Sequence, residues 1–366
     1  MGVFSRRSVM PRCTKVKSSL SARDSLFVAL ICCARYRAGA CSCRCAPLHC
    51  RSAAHFAVAD RARMIYALPS PQLIEIHGDD AVAFANAQFC NDVLELPIGD
   101  WQYNAWLNPQ GRVHAFFALL RPQENTLLLI LRGGRANEIA VDLARYKFRS
   151  KVSIRTMPDW HAQGMSGAHA VADHSSTDLF GDASGAKKLL QGDGWFAIAQ
   201  PGSEPRLLSL TAAPPEQLAV GSDDLTHDAD AWLLADICAG LPQLETATLD
   251  EFLPQALGLE RLDTISFNKG CYPGQEVVAR VHFKGGNKRQ LHMVELAAQE
   301  SPAAGTAIYA VTDDSQPAGV ILQSACVSDT QILALAVLRQ ELADQALRVA
   351  GAGAISLAIG VPLRNT

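Results

Sequence analysis

The sequence predicts an α+β fold that ends in a small antiparallel β-barrel or sandwich. A strand, a turn and a helix follow one another between residues 73 and 89, which is typical of an α+β module. From about residue 287 to the end, short alternating apolar runs recur at a spacing that favours a small antiparallel barrel. At 366 residues, the chain is long enough for two or three domains.

Residues 1–63 differ from the rest of the chain in charge. They carry 12 Lys and Arg against 2 Asp and Glu, a net charge of +10, so the remaining residues carry −13 of the total of −3. Arg and Ser with few acidic residues suggest a transit peptide, and the apolar run 26–33 suggests a signal peptide. For a signal peptide, however, the apolar run is short and the basic segment before it is long. Folded protein is therefore expected to begin close to Met64, with residues 1–63 a disordered extension or a result of start-site choice.

Cysteine is divided in the same way, because seven of the eleven cysteines precede residue 51. Five residues of this segment are candidate zinc ligands, but they lack paired C-x₂-C spacing. They are Cys41, Cys43, Cys45, His49 and Cys50. The four later cysteines are widely separated, which argues for a reducing compartment rather than a disulfide framework and predicts a cytoplasmic protein.

Composition also limits the partners of the main body. The hydrophobic fraction of 49% is ordinary for a folded protein, and no stretch approaches the roughly 18 continuous apolar residues that a membrane span needs. The acidic balance after residue 63 disfavours generic attraction to a polyphosphate backbone, so no direct nucleic-acid binding is expected.

The first half of the body reads as strands and helices in alternation. A strand at 73–76 is followed by a turn and a helix through Phe89, and Asn108-Pro109-Gln110-Gly111 is a hairpin turn between strands 101–107 and 112–120. The next elements predicted are a strand at 126–131, a helix at 138–148 and an extended segment at 152–154.

The second half contains a looser region and then a clear helix. Gly, Ala, Asp and Ser between residues 161 and 194 predict a variable, partly loose segment, and strands are expected at 195–199 and 207–210. A helix is predicted from Ala229 to Ala239, ending at Gly240-Leu241-Pro242.

The most informative motif is a turn that carries one cysteine. It reads Asn268-Lys269-Gly270-Cys271-Tyr272-Pro273-Gly274-Gln275-Glu276. Its glycines and proline predict a turn, and the residues after it have helical character, so Cys271 should lie just before a helix N-terminus. The helix end and Lys269 would favour a thiolate, whereas Glu276 would oppose it. A lone cysteine is also compatible with a small buried hydrophobe.

This turn belongs to a longer pattern that closely resembles the YgfZ family. The shared residues are Phe252-Leu253-Pro254-Gln255, Ile265-Ser266-Phe267, Lys269-Gly270-Cys271-Tyr272, Gly274-Gln275-Glu276, Val278-Ala279-Arg280 and Phe283-Lys284-Gly285-Gly286-Asn287-Lys288-Arg289. The resemblance covers about residues 70–360. It links the chain in fold to the folate-binding aminomethyltransferase of the glycine cleavage system and to mitochondrial iron–sulfur assembly factors.

The resemblance implies a three-domain ring of the aminomethyltransferase type around a central channel that binds tetrahydrofolate or a related folate. Residues 64–115 and 226–286 would form the folate-binding α+β domain. Residues 116–225 would form a middle α+β domain, and residues 287–366 the barrel.

The resemblance also assigns folate contacts. Trp232 matches a folate-contacting tryptophan, whose indole can stack on a pterin or aminobenzoyl ring, although without the resemblance core packing is the favoured explanation of a helical tryptophan. A second tryptophan expected before the first strand is absent, and Pro71 stands there. The basic residues Lys284, Lys288 and Arg289 would receive the glutamate tail of folate, or would form a solvated interdomain turn.

The function implied is a folate-binding accessory protein for the assembly, repair or maintenance of iron–sulfur enzymes, which supports tRNA modification indirectly. Its partners would be folate and iron–sulfur client or assembly proteins, and no resident metal is expected. Cys271 is the expected functional thiol, with Lys269 and Arg280 favouring the thiolate and Tyr272 shaping access.

Two other functions fit the sequence less well. The first is an aminomethyltransferase-like one-carbon transfer enzyme, for which Asp236 and Asp263 are available as acids but lie in no catalytic motif. The second is a folate-independent thiol oxidoreductase, which the absence of a C-x-x-C partner for Cys271 disfavours.

Overall fold

The structure is a computed structural model that describes residues 64–166, 187–212, 225–227, 229–313, 315–351 and 353–360. The extension predicted for residues 1–63, with its candidate zinc ligands, lies outside the described residues. The described residues form two six-stranded sheets and a six-stranded barrel.

The first sheet is antiparallel throughout and carries helices over one face. Its strands, in hydrogen-bonding order, are β6 (Ser153–Thr156), β2 (Leu73–His77), β5 (Thr126–Leu131), β4 (Val113–Gln123), β3 (Asp100–Leu107) and β8 (Lys187–Lys188). Helices α1 (Ala81–Gln88) and α2 (Ala136–Ala144) pack on it. The apolar residues that alternate along the strands meet the helices in a hydrophobic core that includes Ile74, Phe84, Phe117, Leu129 and Leu143.

The second sheet gathers strands that are distant in sequence. Its strands, in order, are β12 (Leu225–His227), β1 (Met64–Ala67), β7 (His161–Ser166), β11 (Arg206–Thr211), β10 (Trp195–Gln200) and β9 (Leu190–Gly192). The β1–β12 pair is parallel and the other pairs are antiparallel. Helix α3 (Ala229–Cys238) follows β12 and packs against β1.

The C-terminal strands close into the antiparallel barrel that the sequence predicts. In order around the barrel they are β13 (Arg289–Leu296), β16 (Gln331–Arg339), β15 (Gly319–Ser328), β14 (Ala307–Ala310), β17 (Leu347–Val349) and β18 (Gly353–Gly360), which pairs back to β13. Helix α4 (Gln275–Lys284) precedes the barrel, and short 3₁₀ helices lie at Thr246–Thr248, Leu259–Leu262 and Gln340–Leu342. The barrel also contacts α3 through β15.

Three predicted boundaries differ from the structure. The domain boundary predicted between residues 115 and 116 falls inside strand β4, because the sheet continues through it. Helix α2 ends at Ala144 instead of Phe148, since Tyr146 turns to pack on Trp106. The region 161–194 predicted to be loose contains three strands in its described part, because small alternating residues let β7 pair on both sides.

Candidate functional site

The cysteine turn lies where the sequence predicts it. Helix α4 begins at Gln275, and Gly274 caps it in the left-handed region with φ of 78°. Cys271, four residues before the helix, is an exposed free thiol. The turn therefore presents this sulfur to solvent instead of burying it in a core.

A close backbone contact holds this turn against the 108–111 hairpin turn. A Cβ built on Gly274 would lie 2.6 Å from the Cα of Gly111 and 2.7 Å from the carbonyl oxygen of Asn108. Because no methyl group fits there, and because the φ of Gly274 is positive, only glycine meets both requirements. The two turns are thus locked together although more than 150 residues separate them.

The hairpin turn is itself fixed by a polar network. The side chain of Asn108 accepts hydrogen bonds from the backbone N–H groups of Gln110 and Arg112, each at 3.0 Å, and donates one to Asp250 at 2.9 Å. Asp250 also lies 2.7 Å from Nδ1 of His114. These bonds give the cysteine turn a rigid support.

Lys269 points into the protein and anchors the motif. Its Nζ donates to the carbonyl oxygens of Asn86 at 2.7 Å, Phe89 at 2.7 Å and Asn91 at 2.8 Å. These groups end or follow helix α1, whose last carbonyls have no partner within the helix. Burial lowers the pKa of Lys269 to about 8. Lys269 is therefore a positioning residue. Its ammonium group faces the protein interior, where Cys90 is among the titratable groups that affect its pKa.

A second thiol, which sequence reasoning missed, lies beneath the motif. Cys90 is fully buried, its Sγ donates to the carbonyl oxygen of Thr264 at 3.3 Å, and burial raises its pKa to about 12. Tyr272 faces the same interior, where burial raises the pKa of its hydroxyl, and that hydroxyl and the Thr264 hydroxyl lack hydrogen-bond partners. The ring of Tyr272 also lies 5.3 Å from Nζ of Lys269. Nothing in the sequence around Cys90 signals this arrangement.

The remaining basic residues of the motif lie along and beyond helix α4. Arg280 is exposed on the helix, and Lys284 ends it, about 14 Å from its first residue at 1.5 Å per residue. Lys288 is exposed, whereas the guanidinium of Arg289 lies 5.8 Å from the ring centre of Phe252. Arg289 also lines a cavity of about 170 Å³. Lys284 thus lies at the opposite end of the helix from the cysteine turn.

Trp232 lies on α3 and is 5% exposed. Its six-membered ring covers Gly164, where a built Cβ would lie 2.4 Å from the indole. The Arg206 guanidinium lies 4.6 Å from the ring centre, and the Tyr66 ring lies 5.3 Å away. Protein groups thus cover most of the indole that the sequence assigned to folate.

Arg206 beside this tryptophan, with Arg132 and Lys187, belongs to a buried cluster of cations that sequence reasoning also missed. Asp236 accepts a hydrogen bond from Arg132 at 2.7 Å and from Arg206 at 2.8 Å, one to each carboxylate oxygen. The Nε atoms of both arginines are buried without a partner. Lys187, 7% exposed, lies 5.0 Å from the ring centre of Tyr103. The sequence feature that could have indicated this cluster is an arginine directly after an apolar strand, as Arg132 follows β5.

The two acids considered for one-carbon transfer have different positions. Both oxygens of Asp236 are engaged by guanidinium groups, so neither is available to accept a proton from a substrate. Asp263 is exposed at the end of a 3₁₀ helix, with φ of 52°, and its backbone oxygen accepts from Asn91. The two carboxylates thus differ: that of Asp236 is held by two arginines, whereas Asp263 is exposed.

Comparisons with known proteins show which protein family the chain belongs to. It is 32% identical over 279 residues to the tRNA-modifying protein YgfZ of Photobacterium profundum, covering 74% of this chain and 82% of the relative. The chain belongs to the YgfZ family. The YgfZ of Sodalis glossinidius is 29% identical over 309 residues, covering 78% of this chain and 88% of the relative. No family model matches the chain.

A solved structure confirms the fold class. The aminomethyltransferase T of the glycine cleavage system from Bartonella henselae superposes with a TM-score of 0.64, covering 82% of this chain and 85% of that protein. At 16% identity, this likeness establishes the aminomethyltransferase-like fold alone. Within the part of the chain that the structure describes, no helix is long and apolar enough to cross a membrane, and no cluster of three His, Cys, Asp or Glu forms a metal site.

Proposed function

We propose that this chain is a folate-binding accessory protein for the assembly, repair or maintenance of iron–sulfur enzymes, with Cys271 as its functional thiol. The observation that carries this proposal is an exposed cysteine on a turn that is clamped from behind by Lys269 and Gly274. Rigid support of an exposed thiol is what a recurring encounter with a client requires. Related YgfZ proteins are named as tRNA-modifying, and tRNA modification would follow from the activity of such clients.

The buried cation cluster is the best support for folate. A folate carries carboxylates and a conjugated ring system, and Arg132, Arg206 and Lys187 provide charge while Tyr103 and Trp232 provide aromatic surface. The unpartnered Nε atoms of the two arginines retain donors for an anionic ligand. Since Trp232 is mostly covered, its contact with folate would be limited to its exposed part. The exposed cations Lys284 and Lys288, with Arg289, stay as predicted contacts for the glutamate tail.

Cys271 would act as a ligand or nucleophile in an encounter with a partner. A single thiol cannot supply the four cysteine ligands of a usual cluster, so a client or assembly protein must provide the others. All four cysteines of the described residues are free thiols, which agrees with a reducing compartment such as the cytoplasm.

The decisive test compares two exposed cysteines. In a strain that lacks the endogenous protein, Cys271→Ala should fail to restore the activity of iron–sulfur enzymes, whereas Cys326→Ala should restore it fully. Cys326 is also an exposed free thiol but lies on the barrel, so it controls for general loss of a thiol. Full restoration by Cys271→Ala would refute the assigned role of this sulfur.

Folate binding is tested separately with the purified protein. Titration with tetrahydrofolate should change the intrinsic fluorescence of the wild-type protein, and Arg206→Lys should weaken binding because a point charge replaces a planar fork. Saturation at millimolar concentrations only, with no effect of Arg206→Lys, would contradict this site. Turnover of folate with an amine donor would instead favour the one-carbon transferase.

A further inference from the structure

The loop between α2 and β6 alternates cations with aromatic residues. It reads Arg145-Tyr146-Lys147-Phe148-Arg149-Ser150-Lys151, with four cations among seven residues. The sequence predicted helix for its first half, but the structure shows a loop after helix α2. None of the roles assigned above uses it.

The loop is held in one conformation at both ends. The Tyr146 ring packs edge-on against Trp106, with ring centres 5.8 Å apart, and the backbone N–H of Lys151 donates to the carboxylate of Asp80 at 2.7 Å. Between these anchors, the N–H of Ser150 donates to the carbonyl oxygen of Lys147 at 2.7 Å. A ligand would therefore meet a surface that is already ordered, which lowers the entropy cost of binding.

Phe148 occupies the tip of the loop in an uncommon state. It is 87% exposed, the largest exposure among the large apolar side chains of the described residues, and its φ is 41°. A bulky residue with positive φ costs free energy, and no packing of the ring offsets that cost. The backbone thus holds an apolar ring in solvent, as a binding platform requires.

The charges around this ring are largely unneutralised. Arg145 pairs with Asp142 at 3.3 Å, and Asp80 lies near the other end of the loop. The side chains of Lys147, Arg149 and Lys151 are exposed, and no carboxylate within the described ranges forms an ion pair with them. The loop is therefore a local basic patch on a body whose sequence after residue 63 carries −13.

We propose that the 145–151 loop binds single-stranded nucleic acid, with Phe148 stacking on a base and Lys147 and Arg149 contacting the flanking phosphates. Single-stranded nucleic acid is recognised by exposed aromatic rings beside cations that follow the backbone. A polyanion alone would explain the cations but not an exposed ring between them. The proposal departs from the expectation from net charge that the chain makes no direct contact with nucleic acid, because a local patch acts within about 10 Å at ordinary salt.

The test measures binding of a fluorescent single-stranded RNA by the full chain through anisotropy. Phe148→Ala should weaken binding about tenfold, and Phe148→Trp should preserve it, because stacking depends on a flat ring. Lys147→Glu with Arg149→Glu should weaken binding further and reduce its dependence on salt. Since all three side chains are exposed, the fold should survive these changes.

A matched variant at another surface controls for nonspecific effects. Phe283→Ala removes a 71% exposed phenylalanine that also adjoins a lysine, Lys284, and should leave RNA affinity within about twofold. Single-stranded DNA of the same sequence distinguishes RNA binding from DNA binding. Equal affinity for the two indicates that the loop contacts bases and phosphates, and a preference for RNA indicates contact with the 2′-hydroxyl. Equal losses in Phe148→Ala and Phe283→Ala would overturn the proposal, as would binding only to anionic phosphatidylserine vesicles.

Discussion

Cys271 lies on the solvent side of the cysteine motif and Cys90 lies beneath it, and the two thiols differ in burial. Cys271 is exposed at the end of a turn, whereas Cys90 is fully buried beneath it, and burial raises its pKa to about 12. Lys269 belongs to the buried side of the motif, because its ammonium group donates hydrogen bonds to the carbonyl groups on either side of Cys90. The inner side of the motif therefore provides the support, and the outer side carries the thiol.

The largest expected effect comes from removing the inner anchor. Lys269→Met keeps the length of the side chain but leaves three carbonyl oxygens without their donor, so we expect the free energy of unfolding to fall by about 3 kcal/mol. Urea denaturation measures this loss. Arg280→Ala, an exposed change on α4, should alter stability by less than about 0.5 kcal/mol. Equal effects of the two substitutions would remove the distinction between anchor and surface.

A smaller effect is expected from the two glycines on either side of Cys271. Gly274→Ala forces a methyl group against Gly111 in a left-handed backbone, and should cost about 2 kcal/mol. Gly270→Ala meets no atom within 4 Å and should cost less than about 0.5 kcal/mol. Thermal unfolding of both variants checks the difference, and a neutral Gly274→Ala would mean that the turns are not in contact.

The effect that is smallest near neutral pH is a dependence of stability on pH. Below pH 9 the Cys90 thiol is protonated in both states, and between pH 9 and about 12 only the unfolded state loses the proton. The free energy of unfolding should therefore fall by up to about 1.4 kcal/mol per pH unit in that range from this thiol. Lys269, with its pKa lowered to about 8, contributes in the opposite direction because the folded state releases its proton first.

Two variants isolate the thiol contribution. Cys90→Ala should show a shallower decline than the wild-type protein between pH 9 and 10.5, when unfolding in urea is followed at each pH. Cys271→Ala should decline like the wild type and should change stability at pH 7 by less than about 0.5 kcal/mol, because its side chain is exposed. Parallel curves for wild type and Cys90→Ala would show that this thiol ionises equally in both states.

Local features of the motif were predictable, but their partners were not. Glycine and proline in residues 268–276 predicted the turn and the start of α4, because turn chemistry is encoded within a few residues. The alternating apolar pattern predicted the barrel in the same way. The inward direction of Lys269 depends on carbonyl groups some 180 residues away, and no local pattern specifies such a contact.

The buried cations also depend on contacts that no local sequence pattern specifies. Trp232 was singled out by the family resemblance, yet the arginines around it belong to β11 and to the end of β5, on two different sheets. The domain boundary predicted at residue 115 cuts through the strand predicted at 112–120, and in the structure β4 runs without a break from Val113 to Gln123. Tertiary pairing, rather than local propensity, brings the two arginines together.

The contact between Gly111 and Gly274 also constrains how this sequence can change over time. A Cβ on Gly274 would lie 2.6 Å from the Gly111 Cα, and a Cβ on Gly111 would lie 3.1 Å from the Val277 side chain and 3.2 Å from the Gly274 carbonyl oxygen, so a larger residue at one glycine cannot be accommodated by a smaller one at the other. No compensating substitution exists within the pair. Loss of Gly274 would therefore require two turns that are encoded far apart in the gene to rearrange together.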